Sequence, residues 1–181
     1  MVDAALLLAR QRAVRRLGLA IAFLVFGLDQ FVKAIVIHAL ALPYRLGQEI
    51  VLLPIFRFVW VENHGISMGF LTAGSAAERW LLVAMTAAIA IAVLFWLWRE
   101  RNRLDAGALG LVLGGAMGNI LDRMRLGYVA DFLDLHFGEL HPFLVFNVAD
   151  AAITIGVLLL VLRALFVRQP AKAAPAEDLH A

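Results

Sequence analysis

Two carboxylates stand among apolar neighbours: Asp131 in the run Gly127-Tyr128-Val129-Ala130-Asp131-Phe132, and Asp150 in Phe146-Asn147-Val148-Ala149-Asp150. Neither has an obvious local cation. Two carboxyls brought close cannot both ionise, so one keeps its proton and the pair acquires the split pKa values that acid–base hydrolysis requires. That is the chemistry of an aspartic protease. The bland alternative for Asp150 is a protonated, hydrogen-bonded acid that holds helices together.

Further polar groups fall at helical spacing around these acids. Asn147, Asp150 and Thr154 lie at i, i+3 and i+7, on one helix face. Gly115, Asn119 and Asp122, at i, i+4 and i+7, form a second polar face on another segment, beside a stripe of Gly110, Gly114 and Gly118 that reads as close helix packing. Asp29 and Lys33, four apart with the acid first, share a face and can pair. They read equally as a neutralised structural pair. Asp122 and Arg123 read as a local ion pair at a helix end, with Arg123 also placed to bind substrate. An ionisable group in a spanning helix costs about 2.5–3.5 kcal/mol on insertion scales, so each of these needs a reason.

The elements that must position them follow from composition. Of 181 residues, 63% are hydrophobic, 17% are charged and none is cysteine, and the mean hydropathy is +0.86. Soluble domains average about 45–50% apolar and about 25% charged residues. The chain is therefore expected in a membrane, as one domain, and not as a coiled coil, a disordered chain or a disulfide scaffold. Its net charge of +2 reads as topology rather than nucleic-acid binding, because no basic patch interleaves with aromatics.

Four apolar spans are expected at about 17–41, 80–98, 106–121 and 143–162; crossing the hydrocarbon core takes roughly 20 residues, so the third is short and its end near Asp122 is expected at an interface. The fourth places Asp150 on the order of 10 Å from its outer end. The first span resembles a signal peptide, with Arg10, Arg12, Arg15 and Arg16 before it and Ala39-Leu40-Ala41 after. Asp29 and Lys33 intervene, and the cleavage-like site lies too far from the apolar core, so a retained span is expected.

Lys and Arg cluster before the first span, between the second and third, and after the fourth, which orients both termini to the cytoplasm. Residues 43–79 and 122–142 then face outside. In the first of these, Glu49 to Glu62 is rich in β-branched and aromatic residues around Pro54, and two short strands are expected. Trp60, Trp80, Trp96 and Trp98 suit interfacial belts. The expected organisation is one integral-membrane domain over residues 1–168, an all-α four-helix bundle with a small extracytoplasmic β-containing segment. Residues 169–181 read as a disordered cytoplasmic tail.

Four blocks, in order along residues 17–162, resemble the lipoprotein signal peptidase family, the type II signal peptidases. They are Asp29-Gln30 with Lys33; Asn63-His64-Gly65 running to Gly69-Phe70; GGAMGNILDR from Gly114 to Arg123 with VADF from Val129 to Phe132; and FNVAD from Phe146 to Asp150. Met68 departs from the phenylalanine more usual there. The resemblance implies an intramembrane aspartic endopeptidase of the bacterial inner membrane, with Asp131 and Asp150 catalytic and no metal or other cofactor. Its substrates would be diacylglyceryl-modified prolipoproteins, cut just before the lipidated cysteine near the outer face of the membrane. Membrane lipids and globomycin-type inhibitors are the other implied partners, and a monomer is expected. Asn63, Gly65, Asn119, Asp122, Arg123, Asn147, Asp29 and Lys33 would support the site or bind substrate.

Other chemistries fit less well. His136, Glu139 and His141 have no standard zinc-helix spacing, Ser75 lacks a nucleophile-elbow context, and Gly114 to Gly118 sit inside an apolar helix rather than after a strand. The alternative function is a small proton-coupled transporter or channel subunit that uses Asp29, Lys33, Asp122, Asp131 and Asp150 as a relay.

Overall fold

The computed structural model describes residues 2–65 and 76–166. Met68, the Gly69-Phe70 pair, Ser75 and the proposed tail lie outside the described residues. In chain order the elements are α1 (Val2–Ala34), β1 (Glu49–Leu53), β2 (Phe56–Asn63), α2 (Ala76–Arg99), α3 (Arg103–Arg125), β3 (Val129–Leu135) and α4 (Val148–Phe166). α1 runs on into a π-helical turn, Ile35–Ala39, and the chain turns away at Ala41, whose φ of 50° is left-handed.

All four helices are long and apolar enough to cross a membrane. α3 is the central one: 61% of its span is buried inside the protein, against 17–22% for the other three. Its glycines explain how. A Cβ at Gly110 would strike the Gly18 carbonyl of α1, and one at Gly114 would strike the Ala22 carbonyl. On the α4 side, Gly115 leaves no room for a Cβ beside the Ala149 carbonyl. Small residues let backbones approach where lipid supplies no hydrophobic drive for helix association. The expected Gly110, Gly114 and Gly118 stripe thus faces α1.

The fourth span differs from the expectation. Its helix begins at Val148, not Phe143, because Asn147 caps it: the Asn147 side chain accepts from the Asp150 N–H at 2.9 Å, and the Asp150 carboxylate accepts from the Asn147 N–H at 3.1 Å. This reciprocal pair is a capping box. Asp150 therefore lies in the first helical turn and not about 10 Å along the helix.

Beside the bundle, at the end shared by the C-termini of α1 and α3 and the start of α4, sits a three-stranded antiparallel sheet in the order β1-β2-β3. The two expected strands pair as a hairpin around Pro54, with Ile50 opposite Phe58. The third strand was not anticipated from sequence. It pairs with β2, placing Arg57 opposite Asp134 and Glu62 opposite Ala130. A second core forms here from Val36, Leu42, Trp60, Ala130 and Phe132. Trp60 belongs to that core, 7% exposed and edge-on to Tyr128, so it corrects the interfacial reading. Trp80, Trp96 and Trp98 are half-exposed.

Candidate active site

Asp131 lies on β3 and Asp150 at the start of α4, and two asparagines tie them together. Asn147 donates its amide N–H groups to Asp131 Oδ1 at 2.6 Å and to Asn119 Oδ1 at 3.2 Å. Asn119, from α3, donates to Asp150 Oδ1 at 2.8 Å. Asn63, at the end of β2, donates to Asp131 Oδ2 at 2.8 Å and accepts from the Gly65 N–H at 2.9 Å. Gly65 has a φ of 96°, and a Cβ there would meet Leu82 of α2, so the turn after Asn63 calls for glycine.

Among the described residues no lysine or arginine forms a salt bridge with either Asp131 or Asp150. Asp131 is 1% exposed, and its carboxyl is pushed up to about 6, first by burial and then by the charge of Asp150; the Asn63 and Asn147 amides pull the other way. A carboxyl raised by burial is thus linked through Asn147 to a second carboxyl at a helix N-terminus. Asp150 also borders an apolar crevice of about 240 Å³ between Leu135, Phe143 and Phe146 on one side and Ala151, Thr154 and Ile155 on the other. Two larger grooves, about 620 and 540 Å³, run along the first turns of α1 among arginines and hold no acid.

The expected Asp29–Lys33 pair forms, at 2.8 Å. The expected Asp122–Arg123 pair does not: Asp122 instead takes Lys33, at 2.7 Å, because the end of α3 packs its acid inward against α1. Arg123 reaches back along its own helix to the Asn119 carbonyl, at 3.5 Å, and its Nε is buried without a hydrogen-bond partner. Gln30 was not singled out for the site, yet it donates to both Asp29 and Asp122, at 3.1 Å each. Its position as a third polar residue in an apolar span was the available signal. His136 and His141 stack at 5.6 Å and turn to Asp134, where Arg57 Nε already holds one oxygen at 2.8 Å.

Four membrane-length helices, with a small sheet and two amide-linked carboxyls at one end, define a multi-pass membrane protein with a polar site at the end of its bundle. The chain belongs to the signal peptidase (SPase) II family, whose model matches residues 21–166. It is 60% identical over 167 residues to the lipoprotein signal peptidase of Rhizorhabdus wittichii, covering 92% of this chain and 95% of that one. Against the lipoprotein signal peptidase of Sphingopyxis alaskensis the identity is 51% over 162 residues, 90% and 92% of the two chains. A solved bacterial membrane enzyme superposes with a TM-score of 0.71 at 27% identity, covering 88% of this chain and 94% of its own. The chain is accordingly a membrane-embedded peptidase.

Proposed function

We propose that this protein removes the signal peptide from diacylglyceryl-modified prolipoproteins, cutting just before the lipidated cysteine, with Asp131 and Asp150 as its aspartic dyad. The observation that carries this reading is the Asn147 bridge, which orders Asp131 through its side chain and Asp150 through its cap. One carboxylate takes a proton from water while the protonated partner hydrogen-bonds the scissile carbonyl, then protonates the leaving amine. The pair titrates as a unit, so the starting proton belongs to both. The apolar crevice at Asp150 accommodates part of the substrate beside the acids.

The same reading places the protein in the bacterial inner membrane, as a monomer with both termini cytoplasmic and the sheet outside, and makes it sensitive to globomycin-type cyclic peptides. Asn63 and Gly65 would then hold the peptide near the sheet, and Arg123, with its buried unpartnered Nε, would face the substrate backbone.

The test is cleavage of a diacylglyceryl prolipoprotein by purified enzyme in liposomes. Wild type should release the signal peptide, while Asp131→Asn and Asp150→Asn should lose activity by about 10²–10⁴-fold with the fold intact. Full activity in either variant would overturn the dyad. Proton flux without cleavage would favour a relay instead.

A further inference from the structure

Lys33 sits where three hydrogen-bonding routes to the candidate dyad meet. It is 3% exposed, in the last turn of α1, and its ammonium lies 2.8 Å from Asp29, 2.7 Å from Asp122 and 3.4 Å from Asn119 Oδ1. Each of these three holds a different part of the site. The second oxygen of Asp29 accepts from the Ala149 N–H at 3.0 Å, one residue before Asp150. Asp122 Oδ2 accepts from the Ala130 N–H at 3.2 Å, one residue before Asp131. Asn119 donates to the Asp150 carboxylate itself.

A network this symmetric about two acids exceeds what helix packing alone requires. A structural pair needs one anion for one cation; here one cation serves two carboxylates, and each, besides accepting from Gln30, also accepts from backbone beside one member of the dyad. β3 and α4 are joined by residues 136–147, and Phe146 pairs back onto Leu133 of β3; the Lys33 network adds a second tie between the two elements, through the N–H groups of Ala130 and Ala149. Buried charge pairs hold geometry firmly because breaking one leaves an uncompensated ion in low dielectric.

We propose that Lys33 is a positioning residue of the peptidase: by clamping Asp29 and Asp122 it fixes, together with the Leu133–Phe146 pairing, the placement of the backbones that carry Asp131 and Asp150. This rests on the dyad reading above. The charged groups around Asp131 are Lys33 and Asp29 from α1, Asp122 and Arg123 from α3, and Asp150 from α4. Lys33 lowers the Asp131 pKa, so its removal should make the pair hold its proton to higher pH.

The experiment compares wild type, Lys33→Met, and the charge-balanced Lys33→Met/Asp29→Asn, which keeps an acceptor for the Ala149 N–H. Each is assayed in liposomes for kcat, KM and the pH dependence of cleavage, with folding followed by thermal unfolding in detergent. Both variants should lose at least about tenfold in kcat with KM within about threefold; the pH limb that reports the shared proton should move upward in Lys33→Met and less in the double variant, where an anion leaves with the cation. Lys33→Arg should recover part of the loss. A folded double variant with wild-type kcat and an unmoved limb would overturn the proposal, as would variants that merely fail to fold, since that is the outcome of a purely structural pair. A wild type that cleaves nothing would sink the dyad reading instead.

Discussion

Strand β3 carries two acids three residues apart in opposite surroundings. Asp131 takes its hydrogen bonds from the Asn63 and Asn147 amides, and its carboxyl rises to about 6. Asp134, nearer the outer end, is as deeply buried at 2% exposure. Burial pushes Asp134 up as well, but the Arg57 and His141 contacts outweigh it and hold the carboxyl below 3.8. Burial alone therefore does not set the two carboxyls apart. What separates them is the partner: a cation locks a carboxylate in its charged form as a structural tie, whereas amides orient it and leave its proton exchangeable.

The contrast can be broken most sharply by removing each charge in turn. Asp131→Asn should cut cleavage by about 10²–10⁴-fold, whereas Asp134→Asn should leave cleavage within a few-fold. Its price should appear as about 1–3 kcal/mol of stability, the scale of a hydrogen bond to a charged group. Equal losses of activity in both variants would erase the distinction between the two acids.

A second effect, of similar size in stability, concerns the clamp beside Asp131. Gly118→Ala would drive a Cβ into Asp29 Oδ2, so about 1–3 kcal/mol should be lost to overpacking, with a parallel fall in kcat. Gly138→Ala makes a useful control, because its Cβ would meet open space; its φ of 62° still adds backbone strain, but activity should be kept.

The pH dependence of stability sharpens the comparison through its sign. The Asp131 carboxyl is raised above its unfolded value, so its contribution is fully present below 3.8 and lost as pH climbs to about 6. The Asp134 carboxyl is depressed, so its contribution is present above 3.8 and lost on acidification below it. Thermal unfolding scanned from pH 3 to pH 7 should show Asp131→Asn flattening the upper part of the profile and Asp134→Asn the lower. The same slope change in both variants would contradict the opposite partners.

The smallest effect belongs to the rim. Glu49 pairs with Arg57 at 3.1 Å, but the two side chains are 46% and 31% exposed. Glu49→Gln should cost under about 1 kcal/mol, and the loss should vanish in high salt. A larger, salt-independent loss would mean that Glu49 is part of the Asp134 tie.

Much of this was legible residue by residue. The glycine stripe, the Asp29–Lys33 spacing and the β1–β2 hairpin are local patterns, governed by helical period, i to i+4 reach and turn chemistry. Two elements depart from their local signals, one for a local and one for a long-range reason. Hydropathy alone extends the fourth helix back to Phe143, although the Asn147 and Asp150 spacing is that of a capping box. β3 carries no local signal of its own, because a strand's partner is not encoded beside it and the pairing with β2 spans about seventy residues.

By itself the sequence determined that this is a four-span membrane protein, which acids lack a local cation, and which family the chain resembles, because composition and motif order are properties of the chain alone. Only the tertiary structure decided that Lys33 and not Arg123 pairs with Asp122, and that Asn147 joins the two candidate acids. Those contacts are made between α1, α3, β3 and α4, and a charge in low dielectric takes whichever counter-charge the packing brings to it, not the one nearest in sequence.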